Sequence, residues 1–230
     1  PEGLRAKIFK IIRTDYEPVE INVGTIDDVH PKTLQVMKDQ LMLDVPRQFS
    51  TLVFGLPDLT PYAIGARINP ILVVSDILGY IFNWFYNKPL IKKDGVVIIM
   101  NPTFEIFHEE YHVAYKMFYE EVLRETTEPF EMQKTFQEKY AHDPFLIDCY
   151  RNKFAYHGFH PFTVWYWATY ALKNLSKVVL VGPKNDRVAK RLGVDWARSL
   201  DDALGMAREI SGEDDVVALT MPPFIYVNVQ

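Results

Sequence analysis

The sequence predicts an α/β protein, a layered αβα unit with a mainly parallel or mixed sheet and a helical middle region. Three observations predict it. Short apolar runs stand at 51–55 and 96–100, the first ending in Gly55 and the second closed by Asn101-Pro102, with an apolar stretch of helical length between them. Strand, helix and strand in that order make a right-handed parallel crossover the expected connection. From residue 177 onward, short apolar runs again alternate with helical patterns.

Taken in order, Leu4, Ile8, Ile11 and Ile12 share one face of a short helix over 4–13, and 19–23 alternates as a strand. His30-Pro31 opens a helix with an apolar face of Leu34, Met37, Leu41 and Met42, and Pro31 suits its first turn. A linker follows around Val45-Pro46. After the strand at 51–55, the prolines at 57, 61 and 70 mark 56–70 as a long loop. Residues 71–86 look like a largely buried helix, and 92–95 turns into the strand at 96–100. The pattern is helical from Phe104 to about Tyr140, and Asp143-Pro144 starts a helix running toward His157. Residues 177–182 form a strand, 186–192 a helix, and 199–210 a helix that begins with a Ser-x-x-Asp capping box. Strands at 216–219 and 224–227 complete the chain.

Composition narrows the function classes. At 230 residues the chain can bury a sizeable core, and 48% hydrophobic with 24% charged residues places it among globular proteins. The net charge is −5 and Lys and Arg are scattered, so the basic stripe of a nucleic-acid binder is missing. The longest apolar stretch, 71–86, is interrupted by Ser75, Asp76, Asn83 and Trp84, so no membrane span is expected. The single cysteine, Cys149, cannot form an internal disulfide, which fits a cytoplasmic, reducing compartment.

Several motifs have chemical meaning. His108-Glu109-Glu110-Tyr111-His112 matches H-E-x-x-H, which on a helix sets two imidazoles one turn apart on a zinc ion, with a carboxylate to activate water. No downstream histidine stands at a recognised third-ligand spacing, so His108 and His112 are read first as structural, and as metal ligands only in a zinc hydrolase alternative. Tyr156-His157-Gly158-Phe159-His160-Pro161 bends the chain and can present two imidazoles to a cleft, or cap helices around that bend. Gly182-Pro183-Lys184-Asn185-Asp186 lacks phosphate-loop spacing, and neither a dinucleotide fingerprint nor a nucleophile elbow occurs. Trp165, Tyr166, Trp167 and Tyr170 are read as packing residues.

The run from Glu20 to Asp28, then 49–57 with its Gly-Leu-Pro loop, then 91–99, occur in the order found in the second half of the nickel-dependent lactate racemase family. Residues 145–150, the stretch 154–162 and Trp165-Tyr166-Trp167 resemble a branch of distant members. The resemblance covers roughly residues 17 to 228. It implies a linking segment over 1–45, continuing from a missing amino-terminal domain, and a carboxyl-terminal α/β domain over 46–230. Family members hold a nickel pincer nucleotide on a lysine and a histidine of the amino-terminal domain and interconvert hydroxy-acid enantiomers. The C2 hydride passes to the cofactor and back, and histidines move the hydroxyl proton.

The resemblance implies that this half closes the cleft over a 2-hydroxy acid, with its own amino-terminal domain as partner, and that the fragment alone is inactive and binds no cofactor. The family's Asp-x-Trp element falls on Asp148-Cys149-Tyr150, so tyrosine replaces tryptophan. The residues expected at the substrate are Arg67, suited to a carboxylate by its bidentate geometry, with Asn69, Tyr150, Arg151, His157 and His160. A non-catalytic binding or scaffold domain of the same fold is the alternative.

Overall fold

The computed structural model describes residues 11, 17–57, 62, 67–212, 214–219 and 226–230. The chain divides into two compact units, Pro1–Met42 and Leu43–Gln230. The helix expected over 4–13 lies outside the described residues, Ile11 apart.

In the first unit, helix α1 (Ile26–Leu41) begins earlier than expected, so Pro31 sits inside the helix and not in its first turn. The start follows from Thr25, extended as an N-cap and bonded through its hydroxyl to Asp28, and from Asp27 and Asp28, whose charges suit a helix amino terminus. The expected strand over 19–23 does not form. Val19, Ile21 and Val23 are exposed, and alternation without a partner strand stabilises nothing.

The second unit is built on five parallel strands, β2 (Phe49–Gly55), β3 (Ile91–Met100), β4 (Leu175–Val181), β5 (Asp195–Ala197) and β6 (Val216–Leu219), in the order β5-β4-β3-β2-β6. Strands β1 (Met42–Val45) and β7 (Tyr226–Val229) make a separate two-stranded sheet. A parallel sheet is covered on both faces, and its central strands are apolar throughout. Leu52, Phe54, Val97, Ile99, Val178 and Leu180 point to one face, Val53, Val96, Ile98, Val179 and Val181 to the other.

The first face is covered by the helical middle region. Helix α2 (Pro70–Ser75) continues through a π-helical turn at Asp76–Tyr80 and a 3-10 turn at Ile81–Asn83, so the expected long helix ends before Trp84. Helix α3 (Val113–Met117), a second π turn (Phe118–Val122), α4 (Leu123–Glu125), α5 (Pro129–Met132), a third π turn (Gln133–Gln137) and α6 (Glu138–Ala141) follow. Then come α7 (Pro144–Asn152), capped by Asp143 Oδ1 on the amides of Phe145 and Leu146, α8 (His160–Trp167) and α9 (Thr169–Asn174). Trp165 is buried here, whereas Trp167 and Tyr170 are exposed. Past α10 (Arg187–Leu192), helix α11 (Leu200–Ser211) crosses the second face with Ala203 and Ala207 inward, capped by Ser199 Oγ on the Asp202 amide.

At the carboxyl edge of the sheet, Asn101 ties three strands together. Its amide donates to the Val181 carbonyl, its side chain donates to the Leu56 carbonyl, and its Oδ1 accepts from the Thr103 amide. Gly182, at φ +123°, lets β4 end against it: a Cβ there would stand 2.5 Å from the Asn101 carbonyl oxygen. Gly182→Ala should therefore cost roughly 1–3 kcal/mol in a urea titration. Gly205→Ala, inside α11 with nothing within 4 Å of the new methyl, should instead add about 0.5–1 kcal/mol. Equal midpoints for the two variants would contradict the assignment.

Candidate functional site

The chain leaving β2 and the chain leaving β3 meet past the carboxyl ends of those strands, where Asn69 and the Tyr62 carbonyl bond His112. The loop after β2 contributes Tyr62, Arg67 and Asn69, and the segment after β3 contributes His108–His112. That segment is where the sequence reading needs its main correction. Residues 101–108 are not helical, 109–111 form a turn, and the helix starts only at Val113. The H-E-x-x-H residues thus precede a helix instead of lying on one, and the His108 and His112 rings are 6.4 Å apart and nearly perpendicular. His108 Nδ1 accepts from the Glu110 and Tyr111 amides and closes the turn. Among the described residues, no three His, Cys, Asp or Glu side chains converge as a metal-binding group.

His112 is completely buried, with both ring nitrogens engaged. Asn69 caps α2 by accepting the Leu72 amide on Oδ1 at 3.1 Å, which turns its Nδ2 toward His112 Nδ1 at 3.3 Å. Nδ1 therefore accepts, and Nε2–H donates to the Tyr62 carbonyl at 2.9 Å. The Tyr156 hydroxyl donates to that same carbonyl.

His160, at the first position of α8, is hydrogen-bonded through Nδ1 to the Tyr115 hydroxyl at 2.7 Å. Its ring stacks on Tyr156 at 4.6 Å and lies 5.4 Å from Tyr62. The Tyr62 and Tyr80 hydroxyls are bonded to each other, and Tyr80 packs on Trp167. The π turn Asp76–Tyr80 is what brings Tyr80 here, in keeping with the use of such turns at functional sites.

Burial sets the protonation of this cluster. Desolvation holds the hydroxyls of Tyr80 and Tyr115 well above the ordinary phenol range and raises that of Tyr156. The same cause lowers His112 and pushes His160 down to about 4, with His112 and His157 adding smaller repulsions. At neutral pH the cluster is a set of protonated phenols and neutral imidazoles.

Of the residues expected at the substrate, Asn69 and His160 belong to this cluster. His157 stands beside it, its Nδ1 accepting the Phe159 amide as a turn-closing residue, with Tyr150 packed edge-on to its ring at 5.2 Å. Tyr150 and Arg151 are exposed on α7, and Arg67 is exposed with its guanidinium over Phe104. Sequence reasoning missed Tyr62, Tyr80, Tyr115 and Tyr156. Tyr156 adjoins the flagged His157, but no spacing rule marks the others.

The fold and site together define an open parallel α/β domain with a neutral, aromatic, imidazole-bearing site at the carboxyl ends of its central strands. No family model matches the chain, and no curated protein matches it significantly. Among solved structures it is similar to the lactate racemase apoprotein from Thermoanaerobacterium thermosaccharolyticum, with a TM-score of 0.52 and 16% identity over 90% of this chain and 41% of that one. The chain has a lactate-racemase-like fold and spans less than half the length of that protein.

The lowered imidazoles make stability depend on pH. An unfolded histidine titrates near about 6.5. Below that pH the unfolded chain takes up a proton that folded His160 refuses down to about 4, so stability is full above the unfolded value and falls as pH drops toward 4. Urea midpoints at several pH values should fall less steeply over this window for His160→Gln than for the parent. Identical slopes would show that His160 titrates normally. Asn69→Ala, which removes both a helix cap and the donor to a sealed nitrogen, should cost roughly 1–3 kcal/mol at neutral pH.

Proposed function

We propose that this chain is the substrate-cleft half of a lactate-racemase-like isomerase acting on a 2-hydroxy acid. The rest of the cleft would come from a domain amino-terminal to it, together with a nickel pincer nucleotide. The observation that carries this reading is the fold shared with a lactate racemase over 90% of the chain. The partly buried His160, bonded to Tyr115 and ringed by tyrosines on the segments that follow β2 and β3, supports it.

The described residues do not fit the cofactor themselves. They bring no metal-binding trio together, and His112 has already committed both nitrogens. The nickel group would be held elsewhere. This chain's contribution is to bind and orient: Arg67, the one cation in the loop 56–69, is assigned to the substrate carboxylate, and His160 to a substrate oxygen. Tyr150, Arg151 and His157 form the outer rim.

A non-catalytic binding domain of the same fold is the second reading. Tyr150 in place of the family's tryptophan, and its exposure on α7, favour it.

The test uses the gene product with any residues that precede Pro1, loaded with nickel pincer nucleotide and given one enantiomer of a 2-hydroxy acid deuterated at C2. Chiral chromatography should show both enantiomers, and mass spectrometry should show the deuterium retained. Arg67→Ala should lower kcat/KM by about 10- to 100-fold, the worth of a charged hydrogen bond. Arg151→Ala or His157→Ala should lower turnover without loss of fold. No interconversion across a panel of 2-hydroxy acids would leave the binding domain as the function.

A further inference from the structure

The Tyr115 ring is fully buried, and among the described residues its hydroxyl has one hydrogen-bond partner, Nδ1 of His160 at 2.7 Å. If Nδ1 carried the imidazole proton, the phenol would accept it and leave its own buried proton without an acceptor among those residues, at a cost of roughly 1–3 kcal/mol. The hydroxyl therefore donates, and the single proton of the neutral ring resides on Nε2. Burial supports this state from both sides, raising Tyr115 and lowering His160.

Nε2 of His160 forms no hydrogen bond within the described residues, and His160 is only partly buried. Its direction is fixed. Tyr156 stacks on the ring at 4.6 Å, Tyr62 and Tyr115 flank it at 5.4 and 5.7 Å, and the His160 amide is bonded to the His157 carbonyl at 2.9 Å. His112, the other imidazole of the cluster, has no nitrogen to spare.

We propose that His160 acts as a neutral hydrogen-bond donor, presenting Nε2–H to a carbonyl or carboxylate oxygen of a small 2-oxo or 2-hydroxy acid, with Tyr115 as the positioning residue that fixes this tautomer. A group so held cannot take the substrate's hydroxyl proton, because the nitrogen facing the ligand is already protonated. It strengthens as a donor because its surroundings exclude water, and a neutral imidazole in such a site can polarise a carbonyl. The choice of ligand rests on the proposed function; the tautomer does not.

Nitrogen-15 NMR of histidine-labelled 230-residue chain tests both parts, with His160 assigned by the signal lost in His160→Gln. At pH 7, His160 should show a protonated Nε2 and an unprotonated Nδ1. Tyr115→Phe keeps the ring and removes the donor, and it should move His160 toward a mixture of tautomers while circular dichroism stays unchanged. Sodium pyruvate or sodium L-lactate should shift the Nε2 resonance. His160→Gln, whose amide places an N–H nearby, should bind the probe within severalfold of the parent, and His160→Ala should lose about tenfold or more.

A protonated Nδ1, an unaltered spectrum in Tyr115→Phe, no response of Nε2 to either probe, or a His160→Gln as weak as His160→Ala would each overturn the assignment. If the tautomer and its dependence on Tyr115 hold while the complete protein interconverts no enantiomers, the isomerase reading fails and the donor role remains. Turnover alongside a protonated Nδ1 would have the opposite meaning.

Discussion

A fully buried imidazole is tolerated only when both of its nitrogens find partners, because each unmet group costs as much as a hydrogen bond is worth. At His112 that requirement organises the site. Asn69 lies just before α2, on the chain leaving β2, and His112 lies just before α3, on the chain leaving β3. One ring thereby staples the loops of the two central strands. Because Oδ1 of Asn69 is occupied by the Leu72 amide, its amide group has a defined orientation, and the tautomer of His112 follows. The Nε2–H of that ring then fixes the Tyr62 carbonyl, and with it the Tyr62 ring that packs against His160.

The staple works because the sheet delivers those loops to one place. Parallel strands all end at the same edge, so every crossover must pass over a face before returning. Here the chain between β3 and β4 spreads over the face of Leu52, Phe54, Val97 and Ile99, while α11 covers the face of Val53, Val96 and Ile98. Asn101 and Gly182 bring β2, β3 and β4 to an end together. Tyr115 and His160 come from distant parts of that crossover, yet both land beyond the same strand ends.

What the sequence made legible follows from how local each signal is. The strands β2, β4 and β6 and the caps Asp143 and Ser199 announce themselves within a few residues. So does the end of β3 at Asn101-Pro102, where Asn101 proved to be the tie between strands. Residues 104–112 misled because Glu, aromatic and apolar residues there mimic helical periodicity, whereas Thr103 at φ +46° and the His108 turn divert the backbone. At 91–95 the expected turn is absorbed into β3, with Asp94 at φ +62° and a shift of register against β2. Of the site, His160 was legible from the bend at Tyr156–Pro161, and Asn69 only through the family resemblance. The tyrosines were not, since a phenol that orders a catalytic-type ring and one that fills a core look alike until the contact across the fold is made.

Burial sets the electrostatics of the cluster. Burial raises the Tyr115 and Tyr156 hydroxyls that pack around His160, and the cation of the neighbouring loop, Arg67, is exposed with its guanidinium over Phe104. Such a wall offers directed hydrogen bonds in a medium that weakens them little.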